Sequence, residues 1–186
     1  GCFIIEVQYL YRTLIDGTFD NIYHEHVNYW SVTSLNTFFN RLGLQISDVE
    51  SVNTHGGSIR VFVKNNGCKI EDSVGSYLQC EEEFGMDIVE TYQKFSEKVL
   101  ERKNNLLSIL HKLKDEGHKI IGYGAPAKAT TLLNAFDIDN TILDCTIDDN
   151  PLKHDKIIPK VNIPIYSKDK AVDSKTKHIV ILAWNF

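Results

Sequence analysis

The chain has 186 residues, 42 % hydrophobic and 24 % charged, with a formal net charge of −5. That composition suits a globular chain with one or two cores, and it offers no broad basic surface to nucleic acid or anionic lipid. Four scattered cysteines, Cys2, Cys68, Cys80 and Cys145, form no Cys-x-x-Cys pair, which points to reduced thiols in a cytoplasm rather than a disulfide scaffold.

Residues 3–7 read as a buried strand, and 8–16 as a short helix that Gly17 ends. The chain opens without Met inside that apolar strand and closes as a second buried strand ends near Phe186. It is therefore expected to be a fragment of a longer protein. No apolar run is long enough to span a membrane, and no signal-like start is present.

The densest chemistry follows. Tyr23-His24-Glu25-His26, with Tyr29 three positions on, gathers two imidazoles, a carboxylate and two phenols within seven residues. Imidazole titrates near neutrality, so it can take a proton from a weakly acidic carbon and release it. In an extended segment His24 and His26 would share one face and Tyr23 and Glu25 the other. A bend would let the carboxylate orient an imidazole. On the residues alone three readings stay open: a surface or core coincidence, a metal site and an acid–base centre. Metal is the weakest of these, because His24 and His26 supply two ligands and no spacing demands His55 or Glu25 as a third.

Thr33 predicts an N-cap for a helix over 34–42, with Leu35, Phe38, Phe39 and Leu42 at helical spacing and Gly43 after it. Residues 44–49 and 59–63 alternate as strands. Between them lies Thr54-His55-Gly56-Gly57, either a plain turn or a place where a ligand comes close to bare backbone. From about Asp72 to His118 the pattern is helical. Val89, Tyr92, Val99, Leu106, Leu110 and Leu113 form its apolar stripe, Glu and Lys take the other faces, and a domain boundary falls within it. The last third alternates strand and helix, which implies a doubly wound parallel sheet. There Gly122-x-Gly124-x-x-Ala127, with Asp148 at a later strand end, fits a dinucleotide fingerprint. NAD, another phosphate-bearing ligand such as a nucleotide sugar, and a turn that merely packs helix on strand all remain open. Lys128 adds a charge that a diphosphate would welcome.

Phe19-Asp20-Asn21-Ile22-Tyr23-His24-Glu25-His26-Val27-Asn28-Tyr29, Thr54-His55-Gly56-Gly57-Ser58-Ile59-Arg60-Val61, Gly122-Tyr123-Gly124-Ala125-Pro126-Ala127-Lys128 and Leu182-Ala183-Trp184-Asn185-Phe186 span nearly the whole chain. Together and in this order they resemble the SAM-dependent C-methyltransferases that act on nucleotide-linked deoxysugars. The resemblance implies an α/β chain in three parts. Residues 1–70 would close a class I methyltransferase Rossmann domain and carry the histidine cluster, 71–118 would be linking helices, and 119–186 a second Rossmann-like domain with a parallel sheet.

It also implies a chemistry. A base removes the proton beside the ketone of a 4-keto sugar, and the enolate attacks the SAM methyl. His26 is the implied base, and Tyr23 and Glu25 orient it or bond the enolate oxygen. The implied substrate contacts are His24, Tyr29, His55, Gly56, Gly57, Gly122, Gly124 and Lys128. SAM would be bound mainly by the missing N-terminal part, zinc would belong to a domain further upstream, and this chain would hold no metal. The fragment alone is expected neither to bind SAM properly nor to methylate. Its implied partner is a nucleotide sugar, not nucleic acid or a membrane. One departure stands out. Where the family tends to show glycines after Asn150-Pro151, this chain has Asp155 and Lys160, which puts the shape of that loop in doubt.

Overall fold

Ile59, Val61 and Val63 are almost wholly buried while the residues between them are more open, the period of a strand with one face on a core. In the computed structural model, which describes residues 1–54, 56–173 and 176–184, they make β3 (Ser58–Asn65) the middle of a three-stranded antiparallel sheet. Its neighbours are β1 (Phe3–Gln8) and β2 (Leu44–Val52). On the other face Arg60 bridges Glu6 on β1 and Glu50 on β2 at 3.0 and 3.5 Å, exposed pairs of the kind that contribute about 0–1 kcal/mol each. This sheet, with α1 (Leu10–Asp16), α2 (Val32–Arg41) and α3 (Asp72–Phe84), belongs to a first unit made of Gly1–Thr18 and His26–Lys98. Phe19–Glu25 and Val99–Phe186 form a second unit.

Three local expectations need correction. Residues 3–7 do form a strand, but at the sheet's edge. Phe3 and Ile4 are 56 % and 53 % exposed, and only Ile5 and Val7 reach the core. The cap of α2 is Ser31 rather than Thr33: Ser31 Oγ accepts from the Ser34 N–H at 3.0 Å, and Ser34 Oγ accepts from the Ser31 N–H in return. The helical stretch is broken at Gly85, whose φ of +76° ends α3 before α4 (Val89–Asp115) starts. Val89 and Tyr92 of the expected stripe lie exposed, whereas Leu110 is buried and Val99, Leu106 and Leu113 pack against the second unit's core.

That core lies under a five-stranded sheet. Its members are β4 (Lys119–Tyr123), β5 (Cys145–Ile147), β6 (Ile157–Ile158), β7 (Ile163–Tyr166) and β8 (Thr176–Ile181), in the order β6-β7-β5-β4-β8. All pairings are parallel except β6 with β7, so the α/β, Rossmann-like architecture is as expected. Between β4 and β5 runs α5 (Ala127–Phe136), and α6 (Lys168–Ala171) comes before β8. Among the described residues no helix is long and apolar enough to cross a membrane.

The loop that lacks glycines nevertheless makes left-handed turns. Asp155 and Lys160 have φ of +60° and +69°, a region that costs a side chain about 1–2 kcal/mol. Asp155 is held there by its backbone N–H to Ile165 O at 2.8 Å and by an ion pair with Lys170. Lys160 is exposed. Lys160→Gly should therefore stabilise the second unit by about 0.5–1 kcal/mol, after glycine's greater freedom in the unfolded chain is counted. The check is a rise in thermal midpoint of about 1–4 °C.

Candidate functional site

The histidine segment has no long regular element. A 3₁₀ turn, Phe19–Asn21, is closed by the Ile22 N–H to Phe19 O at 2.9 Å, and the Tyr23 N–H donates to Asn21 O at 3.1 Å. The chain then bends at Tyr23. The Tyr23 hydroxyl donates to Glu25 Oε2 at 3.1 Å, and its ring meets His24 edge-on at 5.7 Å. His24 and Glu25 are exposed, and Tyr23 and His26 are half-buried. Tyr23 and Glu25 are thus joined directly across the bend. The chain passes from the second unit to the first at the Glu25–His26 bond.

Within the first unit, Tyr29 lines a cavity of about 540 Å³ together with Thr33, Glu81, Glu82, Asp87 and Tyr92. At its floor Glu81 is 1 % exposed. One carboxylate oxygen accepts from the Tyr9 hydroxyl at 2.8 Å and the Val32 N–H at 2.7 Å. The other accepts from the Thr33 N–H at 2.9 Å and the Thr33 hydroxyl at 2.6 Å. A carboxylate from α3 therefore satisfies free amides of α2's first turn. Burial, then the Glu81 charge, push the Tyr9 phenol far above its ordinary value.

Gly56 and Gly57 line a second cleft of about 390 Å³ with Arg12, Ser51 and Asn53. Gly57 has φ of +120°, and a Cβ there would stand 3.0 Å from the Arg12 side chain, so the glycine serves close packing as well as the turn. Arg12 pairs with Asp16 at 3.0 Å and stays half exposed. His55 lies outside the described residues.

The glycine turn after β4 is spent on the fold. A Cβ at Gly122 would lie 2.8 Å from Leu182 and 2.9 Å from Thr146, and one at Gly124 would lie 2.5 Å from the Ala183 Cβ. Both glycines therefore let β4 approach its neighbours. Two amides of the turn are also engaged: the Gly124 N–H donates to Ile147 O at 2.7 Å and the Ala125 N–H to Asp148 Oδ2 at 2.7 Å. Asp148, the residue placed to accept from a ribose, instead takes Ala125 and the Lys153 ammonium at 2.8 Å. These contacts weigh against the NAD reading.

Burial pushes the Asp148 carboxyl up, but Lys153 and the amides of Asn150 and Ala125 outweigh it and hold it below its ordinary value. A carboxyl held low in the fold adds stability above its unfolded pKa of about 4, and that stability fades as pH falls through the lower folded value. Asp148→Asn should accordingly cost about 1 kcal/mol at pH 7. Urea unfolding at pH 7 and again near pH 3 should show the gap to wild type closing in acid.

Lys128, expected to face a diphosphate, is 5 % exposed. Its Nζ has no hydrogen-bond partner among the described residues, and it stands 5.3 Å from the centre of the Trp184 ring. The Trp184 indole N–H donates to Asp20 Oδ2 at 2.7 Å, and Asp20 is 3 % exposed. Burial lowers the lysine's pKa and the Asp20 charge opposes that. Burial raises the aspartate's, against the indole bond and Lys128. Asp20 and Trp184 stand inside the stretches that carry the family resemblance, but no local pattern assigns either a role.

A family model described as the C-methyltransferase C-terminal domain matches residues 53–186. The histidine segment lies outside that match, yet C-methyltransferase NovU of Streptomyces niveus aligns with all of this chain, at 33 % identity over 188 residues. The chain belongs to the C-methyltransferase family. It spans 45 % of NovU's length, less than half of the relative it matches. Among the described residues of this C-methyltransferase chain, no group of three His, Cys, Asp or Glu side chains is placed to hold a metal ion. Nor do they fit SAM, the methyl donor that the family implies. The first unit's sheet is antiparallel throughout, without the parallel strand, glycine loop and helix that seat a nucleotide, and in the second unit's turn the Gly124 and Ala125 amides are taken.

Proposed function

We propose that this chain is the substrate-facing portion of a cytoplasmic, SAM-dependent C-methyltransferase whose acceptor is a nucleotide-linked 4-keto-deoxysugar. His26 takes the proton from the carbon beside the ketone. The C–H electron pair passes into the enolate, and that carbon would then bond the donor's methyl group as the methyl–sulfur bond breaks, its electron pair staying on sulfur in the departing thioether. Tyr23 and Glu25, just before His26 in the chain, orient the base or bond the enolate oxygen, while His24, Tyr29, His55 and the Gly56-Gly57 turn contact the sugar nucleotide. The donor is held by sequence beyond this chain, and any zinc belongs there too.

The observation that carries this reading is the open Tyr23–Glu25 hydrogen bond, directly ahead of a half-buried imidazole on an irregular segment. Acid–base groups there are within reach of a ligand instead of sealed in a core. The test supplies the complete enzyme with methyl-labelled SAM and a nucleotide-linked 4-keto-deoxysugar. Label on a ring carbon of the sugar is the expected product. Label on oxygen or nitrogen, or no transfer, overturns the reading.

A further inference from the structure

In open α/β sheets the ligand crevice lies beyond the carboxyl ends of the strands, where strand order reverses. In the second unit that point falls between β4 and β8, since β4 has β5 on one side and β8 on the other. Lys128 stands in the first turn of α5, which follows β4, and Trp184 lies just beyond β8. A ligand's phosphate would meet the lysine there.

The chain's own 3₁₀ turn has taken that place. Phe19 stacks on Phe136 of α5 with ring centres 4.9 Å apart. Asp20 brings a carboxylate to the Trp184 indole N–H, and its charge acts on Lys128, whose ammonium also lies over the Trp184 ring. Three hydrogen-bonding or charged groups, each from a different part of the sequence, are therefore closed into one polar knot beneath the residues that open the histidine segment. Backbone bonds from Ile22 to Phe19 and from Tyr23 to Asn21 join the knot directly to the Tyr23–Glu25 bend.

We infer that Asp20, Trp184 and Lys128 are positioning residues for the Tyr23-His24-Glu25 bend, and that the crevice of the second unit holds the enzyme's own Asp20 carboxylate in place of a ligand phosphate. This inference rests on the proposed C-methyltransferase reaction. Lys128 supplies the charge that makes a buried aspartate tolerable, the indole fixes its direction, and the bend is held by both. A buried charge that loses its partner moves or draws in water, and displacement of the catalytic groups by about 1 Å can cost about 10²-fold in rate.

The experiment measures methyl transfer and equilibrium SAM binding for Asp20→Asn, Lys128→Met, their double variant and Trp184→Phe in the complete enzyme. Asp20→Asn and Lys128→Met should each lower kcat about 10–100-fold, with the dissociation constant for SAM within about twofold of wild type. The double variant should be no slower than the worse single one, because neither charge is then left alone. Trp184→Phe keeps a ring under Lys128 but loses the N–H, so it should lower kcat as well, and it serves if Asp20→Asn does not fold. Inorganic diphosphate should bind wild type and Lys128→Met equally weakly in calorimetry. Wild-type kcat in Asp20→Asn and Trp184→Phe, additive losses in the double variant, loss of SAM binding in step with kcat, or diphosphate binding that depends on Lys128 would each overturn the inference. If transfer needs His26 but not this knot, the inference alone fails. If no variant matters because no carbon methylation occurs, the proposed reaction fails first.

Discussion

In the complete enzyme, His26→Ala should lower the proposed methyl transfer to a 4-keto-deoxysugar nucleotide by about 10²–10⁴-fold, the usual share of a positioned general base. The carbon beside a ketone gives up its proton slowly to water, so the proposed reaction would depend on a basic nitrogen at the right place. Alanine removes that nitrogen and leaves room for a small base. Added imidazole should then restore part of the rate, with saturation, while the dissociation constant for SAM stays near the wild-type value. The pH–rate limb that reports the base should disappear from the residual activity. Tyr23→Phe removes only the hydroxyl that donates to Glu25, and so should cost less than loss of the base. Undiminished transfer by His26→Ala would remove the base assignment. A loss accompanied by unfolding, with no rescue by imidazole, would make His26 a structural residue.

Much of the architecture was legible because it follows from periods that one sequence carries on its face. The alternation at 59–63 gave β3, and the strand–helix rhythm after Lys119 gave the parallel sheet. Pairing partners are another matter, since they depend on what lies beside a strand. Phe3 and Ile4 are apolar enough for a core yet sit on the edge strand β1. The glycine turn shows a similar limit. A motif for phosphate and a motif for close strand packing need the same residues. Only the positions of Leu182, Thr146 and Ala183 reveal which constraint Gly122 and Gly124 meet here. The histidine segment was visible from its residue types, but its attachment through Asp20 to Trp184 joins positions 164 residues apart, and no local pattern carries that. Glu81 did leave a signal. It falls at helical spacing from Val74, Tyr77 and Leu78, on the stripe that α3 turns inward. A glutamate in an apolar stripe marks a buried polar tie.

Glu81→Ala should cost the first unit about 3–5 kcal/mol, as loss of one partner in a buried charged network does. The reason lies in what the carboxylate leaves behind. The Tyr9 hydroxyl, the Val32 and Thr33 amides and the Thr33 hydroxyl all donate to it. Buried donors without acceptors cost about 1–3 kcal/mol each, although water entering from the neighbouring cavity would satisfy some of them. Glu81→Gln isolates the electrostatic part. One oxygen can still serve Tyr9 and Val32, but an NH₂ group must then face the Thr33 N–H, donor against donor. That variant should fall between wild type and alanine, at about 2 kcal/mol. Urea denaturation followed by amide exchange within α2 would measure both. An alanine variant within about 0.5 kcal/mol of wild type, the range of ordinary surface changes, would show that α2 does not depend on this carboxylate. Because Glu81 floors the cavity lined by Tyr29, loss of the tie should also loosen that wall. In the complete enzyme, a fall in affinity for the proposed nucleotide sugar larger than the fall in kcat would mark the cavity as part of that acceptor's seat.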